Sequence, residues 1–434
     1  MPDPVELLQT LIRFDTTNPP GGERAAVEHI AALIADAGVE VTTIAKDPGR
    51  PNLVARITGR GEAPGLLLQG HVDVVPTTGQ QWSRDPFSGD IVDGFVWGRG
   101  ALDMKGGVAM MLAAFIDLAE RGEQPAGDIV LAIVSDEEDG GTFGARFLVD
   151  EHPGLLAGVG YAVGEFGGFP LNFGGSRFYP VQVAERVPVP MRLTVRGPGG
   201  HGSLPMKGGA MAKAARVLGR LERRRLPVHI VPATRLMLEG MAEHLDGTSK
   251  AIVQRLVNPA MAAAALKALP SKLGVMEPVF RNTVNATVIR GGGPINVIPS
   301  TVEITLDGRM LPGRDAADFA DEVKAIVGRD VEIDFAVEGA TTTTEPNMDL
   351  FPLLADVIRE MDPDGHPIPF LMPAVTDGRW FACLGIQPYG FLPMVLPDDF
   401  VFQSLTHAAD ERIPVAAVRA GTEAMRRLLR RYPG

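Results

Sequence analysis

The 434-residue chain has a single cysteine, Cys383, so it can build neither a disulfide framework nor a thiolate zinc site within one chain. Any metal it binds must rely on imidazole and carboxylate. Positive charge is also short. The chain carries 41 Lys and Arg against 53 Asp and Glu, a formal net charge of −12, which argues against nucleic acid or an anionic membrane as the main partner. An acidic excess does suit a protein whose carboxylates hold cations. No run of about 18 uncharged apolar residues occurs, so no membrane-spanning helix is expected. The opening residues, Met1-Pro2-Asp3-Pro4-Val5-Glu6, lack a basic segment followed by an apolar one, and a cytoplasmic location is expected. The glycine-rich run from Gly98 to Gly107 is followed by no Gly-Lys-Ser/Thr, which excludes a phosphate loop.

What is present reads as a globular α/β protein. Apolar residues make up 45% and charged residues 22%, which is ordinary for such a chain, and the length favours two domains. A helix is expected over 4–14, stopped by the turn Asn18-Pro19-Pro20-Gly21-Gly22. A second, over 23–37, carries Val27, Ile30, Leu33 and Ile34 at helical spacing and closes on Gly38. Strands are expected at 39–44, 52–57 and 65–71. The last of these delivers His71 and Asp73 at its end, and in an open α/β sheet ligands gather at the carboxyl ends of strands.

Two more apolar strands end the same way. Ile129 to Val134 runs into Ser135-Asp136-Glu137-Glu138-Asp139, and Tyr161 to Val163 ends in Gly164-Glu165. Asp103 precedes a helix expected over 108–120 that is apolar nearly all round and therefore buried. A carboxylate there is either a simple N-cap or a charge that needs a cation to meet it. The stretch 80–100, with Trp82, Trp97 and Arg99, reads as a loop, either packed surface or a substrate-facing wall.

Near residue 187 the pattern changes. Arg186 to Pro190 is a proline-punctuated linker, followed by a strand (191–195), the run Gly197-Pro198-Gly199-Gly200-His201-Gly202-Ser203 and a helix over 209–223. Residues 225–280 look like extra helices. Strands at 282–289 and 300–306, a helix at 316–327 and a strand at 331–337 complete a small α+β unit, and Thr341 to Thr344 reads as the return linker. A helix at 350–360, a loop from Pro373 to Gly378 and His407-Ala408-Ala409-Asp410-Glu411 then precede a final helix over 415–430.

The candidate ligands are His71, Asp103, Glu137 or Glu138, Glu165 and His407. Five such side chains are too many for one tetrahedral zinc and suit two ions that share a bridging carboxylate. Each ion then sees one His, one terminal Glu and the shared Asp. The surplus Glu is free to act as general base on the bridging water. These residue types alone do not choose between Glu137 and Glu138. Asp73 is placed to accept from the other nitrogen of His71 and orient it.

The stretches Gly-His-Val-Asp-Val-Val-Pro, Gly-Arg-Gly-Ala-Leu-Asp-Met-Lys-Gly-Gly, Ser-Asp-Glu-Glu and Val-Gly-Glu, in this order, resemble the M20 family of metallohydrolases. That family includes acetylornithine deacetylase, succinyl-diaminopimelate desuccinylase, aminoacylase-1 and carboxypeptidases. The resemblance runs end to end. It implies an α/β zinc-peptidase-like catalytic domain, with a mixed central sheet flanked by helices, from residues 1–188 and 344–434. An inserted α+β lid, 189–343, would carry a homodimer interface. It implies two zinc ions, with cobalt or manganese as substitutes. Asp103 would bridge them, His71 and Glu165 would complete one site, and Glu138 and His407 the other. Glu137 would be the general base and Asp73 the orienter of His71. His201 would stabilise the oxyanion, often in the partner subunit's site. Asn296, Arg309 and Arg379 would bind the substrate carboxylate, a task suited to an Arg fork.

The expected activity is hydrolysis of the amide in an N-acyl amino acid or small peptide with a free carboxylate. A succinyl-diaminopimelate desuccinylase or an acetylornithine deacetylase is the narrower alternative within this reading, and two rivals stand outside it. One is a catalytically silent small-molecule-binding homologue, and the other a mononuclear redox metalloenzyme. The chain also departs from the family pattern, which often has Gly-Glu-Pro where Gly164-Glu165-Phe166 stands. An altered pocket wall beside the metals is expected there. The long helical stretch 225–280 looks closer to the carboxypeptidase-S-like members and favours a bulkier or more apolar substrate side chain.

Overall fold

A computed structural model describes residues 2–268, 277–337 and 345–432. The expected return linker at 341–344 lies outside the described residues. The larger of the main sheets has nine strands. Its order is Val41–Ile44, Asn52–Ile57, Ile129–Val134, Gly65–His71, Val159–Gly164, Gln387–Gly390, Ser176–Glu185 and His366–Met372, with Leu171–Phe173 paired to Ser176–Glu185. Gly65–His71 lies parallel to both Ile129–Val134 and Val159–Gly164. Three carboxyl ends therefore open onto one rim, and His71 stands in register with Val134.

These central strands are apolar throughout because both sheet faces are covered. Alternate side chains point to opposite faces. Ile129, Leu131 and Ile133 thus join a core with helices Pro4–Arg13, Lys105–Arg121 and Val415–Arg431. Val130, Ala132 and Val134 pack instead with Leu148, Trp380 and Phe381 on the other side. Helix Lys105–Arg121 is buried from Lys105 to Leu118. Even its first residue is enclosed, and Lys105 Nζ donates to Phe14 O at 2.8 Å.

Three strands of this sheet carry no clear sequence signal: Ser176–Glu185, Gln387–Gly390 and His366–Met372. Each contains proline, which cannot donate to a ladder and weakens any strand pattern. His366–Met372 ends the sheet order. Pro367 and Pro369 are two residues apart and face the same way, so their missing N–H groups sit at the open edge, where nothing is lost. The loop 80–100 also holds structure. Its strands Ile91–Val92 and Phe95–Trp97 form a small sheet with Arg412–Pro414.

The second main sheet is antiparallel, ordered Val187–Pro188, Thr301–Met310, Met191–Arg196, Val331–Phe335, with Thr283–Gly291 also paired to Thr301–Met310. Helices Ala210–Arg223 and Ala316–Val327 supply Ala214, Val217, Phe319 and Val323 to its own core, separate from the first. A two-stranded ribbon, Gly200–His201 with Val297–Ile298, extends from it.

The sequence places all of 225–280 in the insert, but helices Pro232–Glu243 and Gly247–Val257 do not pack there. Their Met237, Leu238, Met241, Val253 and Leu256 belong to the core of the large sheet, with Phe178, Val181 and Ile368. The physical reason is close approach. A Cβ on Gly240 would come 3.3 Å from Ile368 Cγ2, so the bare glycine lets the helix lie directly on the end strand. Among the described residues no helix is long and apolar enough to cross a membrane.

Candidate metal centre

The rim of the large sheet gathers side chains from five separate parts of the chain. His71 Nε2 lies 3.2 Å from Asp103 Oδ1 and 3.4 Å from Glu165 Oε2. The other oxygen of the same aspartate, Oδ2, lies 3.2 Å from His407 Nε2, which is also 3.2 Å from Glu138 Oε1. Asp103 thus turns one oxygen to each imidazole. Two groups of potential ligand atoms result, His71 with Glu137 and Glu165, and Asp103 with Glu138 and His407, each within 4.8 Å.

The spacing fits small cations. Tetrahedral nitrogen and oxygen ligands at about 2.0–2.2 Å from an ion stand about 3.3–3.6 Å from one another, and the paired atoms here are 3.2–3.4 Å apart. The donor set is acidic overall, four carboxylates to two imidazoles, and divalent charge neutralises it.

The protonation balance reflects the same crowding. His407 is pushed up to about 10 by hydrogen bonds to Asp103 and Glu138. Burial alone would lower His71, but hydrogen bonds with Asp103, Asp73 and Glu165 carry it well above the ordinary imidazole value. Burial raises Glu137 far above a normal carboxyl, and the charge of Glu165 adds to the effect. Asp103 goes the other way. Burial would raise it, yet hydrogen bonds from His407 and His71 hold it below its usual range.

The N-cap reading of Asp103 does not hold. The helix begins at Lys105 with Met104 in the cap position and no side-chain cap, because the Asp103 carboxylate is engaged by the two imidazoles.

Asp73 does more than face His71. Its backbone oxygen is 3.0 Å and its Oδ1 3.5 Å from His71 Nδ1. The same carboxylate accepts from the backbone N–H of Glu137 and of Glu138, both at 3.1 Å, and from Asn18 Nδ2 at 2.9 Å. It therefore ties the acidic pair to the end of the His71 strand. The preceding Asp136, at φ 70°, pairs with Arg50 at 2.9 Å and accepts from Asn18 Nδ2 at 3.1 Å and Phe143 N at 3.0 Å. Arg50 also meets the buried Glu23 at 2.7 Å. Asn18, Glu23 and Arg50 escape sequence reasoning, since nothing local marks a turn asparagine or a lone ion pair as support for a site dozens of residues away.

Next to these groups opens a cleft of about 1250 Å³ between the two sheets. Glu137, Glu138, His407 and Arg379 line one side, Arg186 and Arg309 the other. Arg379 donates to Thr376 O at 3.1 Å and to Gly140 O at 3.3 Å, and its guanidinium lies 5.1 Å from the Trp380 ring centre. Arg309 is paired with Asp307 at 2.7 Å.

Arg186, read from sequence as linker, is 2% exposed and donates to Thr283 Oγ1 at 2.7 Å and to Arg309 O. Its Nε makes no hydrogen bond. Burial, with the like charge of Arg309, lowers it to about 10.

His201 and Asn296 are not brought to the cleft. They stand together on the exposed ribbon, where Gly202 N donates to Asn296 O at 2.7 Å and His201 Nδ1 lies 2.8 Å from Ser203 Oγ. Phe166, beside Glu165, is not among the residues that line the cleft. It turns into an aromatic cluster, its ring centre 5.2 Å from that of Phe169 and 5.8 Å from that of Phe370.

Comparison with known proteins agrees with this architecture. The chain is 29% identical over 373 residues to a probable carboxypeptidase S-like 2 of Dictyostelium discoideum, covering 81% of this chain and 68% of that protein. It is 27% identical over 446 residues to a succinyl-diaminopimelate desuccinylase of Cereibacter sphaeroides, covering 99% of each. Its fold matches that of an M20 family metallo-carboxypeptidase from Sulfolobus solfataricus with a TM-score of 0.71 at 18% identity over the whole of both chains. The family described as Peptidase family M20/M25/M40 matches residues 67–431, and the chain belongs to that family.

Proposed function

We propose that the protein is a dinuclear metal-dependent hydrolase that cleaves the amide bond of an N-acyl amino acid or small peptide bearing a free carboxylate. The observation that carries this reading is the Asp103 carboxylate, with one oxygen 3.2 Å from each of two imidazoles. His71, Asp103 and Glu165 would hold one ion; Asp103, Glu138 and His407 the other. Zinc suits this donor set, and cobalt or manganese would also fit. When bound, such ions lower the pKa of water toward about 7 and polarise a carbonyl.

The remaining work falls to the protein. Glu138 is engaged with His407 at 3.2 Å, whereas none of the described ion pairs includes Glu137, which lines the cleft. Glu137 would take the proton from the attacking water and deliver it to the leaving nitrogen. Arg379 on one side, and Arg309 with the neighbouring Arg186 on the other, give the cleft the positive charge that a substrate carboxylate needs. Segments 1–188 and 344–434 would form the catalytic domain, joined by helices Pro232–Glu243 and Gly247–Val257. The rest of 189–343 would be the lid and dimer surface. His201, exposed beside Asn296, would serve the oxyanion after lid movement or in a partner subunit.

The test is a panel of N-acyl amino acids, including N-succinyl and N-acetyl compounds, and dipeptides, assayed with and without chelator. Hydrolysis that stops with chelator and returns with added divalent metal is expected. A chain that binds two ions and hydrolyses nothing in the panel would instead be a silent binding protein. Replacing Arg379 with methionine should lower kcat/KM for carboxylate-bearing substrates by about 10- to 100-fold, the worth of a charged hydrogen bond. Equal loss on a substrate whose carboxylate is esterified would remove Arg379 from this role.

His201→Ala should be inactive while keeping its ions. Mixing it with an inactive Glu137→Ala chain separates the two routes for His201. Recovered activity means that His201 acts across subunits, and none means that it acts within its own.

A further inference from the structure

The two halves of the metal centre are not built alike. His71 and Glu165 leave the ends of adjoining parallel strands, and Glu137 is tied to Asp73. His407 sits in a loop, with its side chain 49% exposed. It has φ 61°, and Asp410 has φ 60°, a region that residues other than glycine occupy only when neighbouring structure holds them there.

What holds them is a chain of hydrogen bonds behind the site. Glu411 is fully buried. Its Oε1 accepts from the backbone N–H of Leu102 at 2.7 Å and of Asp103 at 3.3 Å, and its Oε2 pairs with Arg99 at 2.6 Å. Arg99, 1% exposed, donates to Ala408 O at 3.2 Å and to Gln80 Oε1 at 2.7 Å, and its guanidinium lies 5.1 Å from the Trp82 ring centre. Gln80 closes the ring by donating from Nε2 to His407 O at 2.7 Å. Ser83 adds a clasp, donating from N and Oγ to Asp410 Oδ1 at 2.8 and 2.9 Å. The bonds thus run from the peptide of Asp103 through Glu411, Arg99 and Gln80 to the peptide of His407. Among the described residues, no hydrogen bond or ion pair joins Gln80 or Arg99 to His71, Glu165 or Glu137, and Glu411 reaches the first site only through the peptide of Asp103.

We propose that Gln80 and Arg99, which hold the His407 loop, are positioning residues for the second cation site, setting its affinity separately from that of the first, while Glu411 anchors them to the peptide of the shared Asp103. The inference rests on the dinuclear reading. The loop 80–100 is then neither plain surface nor substrate wall. Its role is to fix the distance between two ligands that lie about three hundred residues apart in sequence.

Gln80 is the position to probe, because it is partly exposed and its amide makes the bonds to Arg99 and to His407 O. Gln80→Glu keeps the acceptor for Arg99 but faces His407 O with an acceptor in place of a donor. Gln80→Met removes both ends. Metal-free protein is titrated with Co²⁺, followed by calorimetry and the visible spectrum, with thermal melting of the metal-free forms alongside.

The wild type should bind two ions. In both variants the weaker step should loosen by about 10- to 100-fold, the usual effect of removing a partner behind a ligand. The tighter step and the metal-free melting temperature should stay in place. Loosening of both steps together, or of neither, overturns the proposal while leaving the dinuclear reading intact. A wild-type chain that takes up fewer than two ions overturns both.

Discussion

Replacing Glu137 with alanine is expected to lower kcat by about 10²- to 10⁴-fold, the range of a single general base, while the chain still binds two ions. The loop should survive the change. Its shape depends on backbone bonds from Glu137 and Glu138 to Asp73, both at 3.1 Å, and on Asp136 held by Arg50 at 2.9 Å, none of which uses the Glu137 side chain. Because the lost interaction acts on proton transfer, kcat and kcat/KM should fall together with KM little changed.

The neighbouring Glu138→Ala is the control. Glu138 lies 3.2 Å from His407, so its loss should remove an ion. Metal content per chain and steady-state kinetics separate the two roles. A Glu137→Ala chain that turns over normally, or that sheds a metal while Glu138→Ala does not, would exchange the assignments.

The second large effect is expected from removing the metals and changing pH. In the metal-free chain His407 titrates near 10, against about 6.5 for a free imidazole. A raised imidazole contributes its stability below pH about 6.5 and loses it as pH climbs through the folded value. Burial raises Glu137, Glu138 and Glu165. Their folded forms keep protons that an unfolded chain has released above about pH 4.3, so stability falls as pH rises past that point. Both groups act in one direction, so the contribution of these site residues to the stability of the metal-free protein should fall from about pH 5 upward, with buried Lys105, lowered to about 7, opposing them only above neutral pH. The depressed Asp103 acts only in acid, below this window.

Cations reverse the trend, since ligands bind them deprotonated and affinity grows with pH. The melting-temperature gap between metal-loaded and chelated protein should therefore be larger near pH 8.5 than near pH 5.5. At 100-fold excess over Kd each ion contributes about 2.7 kcal/mol. A gap that shrinks with rising pH would mean that these side chains are not the ligands.

The amino-acid order alone determined a good deal: the α/β class, the run of strands that end in His71, Glu137, Glu138 and Glu165, and the list of groups able to meet a cation. Those readings rest on local chemistry, for an apolar run closed by glycine and an acid is recognisable within a few residues. Only the tertiary structure decided the rest. It set His407 beside Asp103, turned that carboxylate away from capping its helix, and hid Asn18, Arg50 and Glu411 behind the site. It laid helices Pro232–Glu243 and Gly247–Val257 on the large sheet, and left His201 and Asn296 on an exposed ribbon. These outcomes depend on which apolar faces pair across long stretches of chain. Such pairings are chosen by shape and burial over the whole molecule, and no window of sequence carries them.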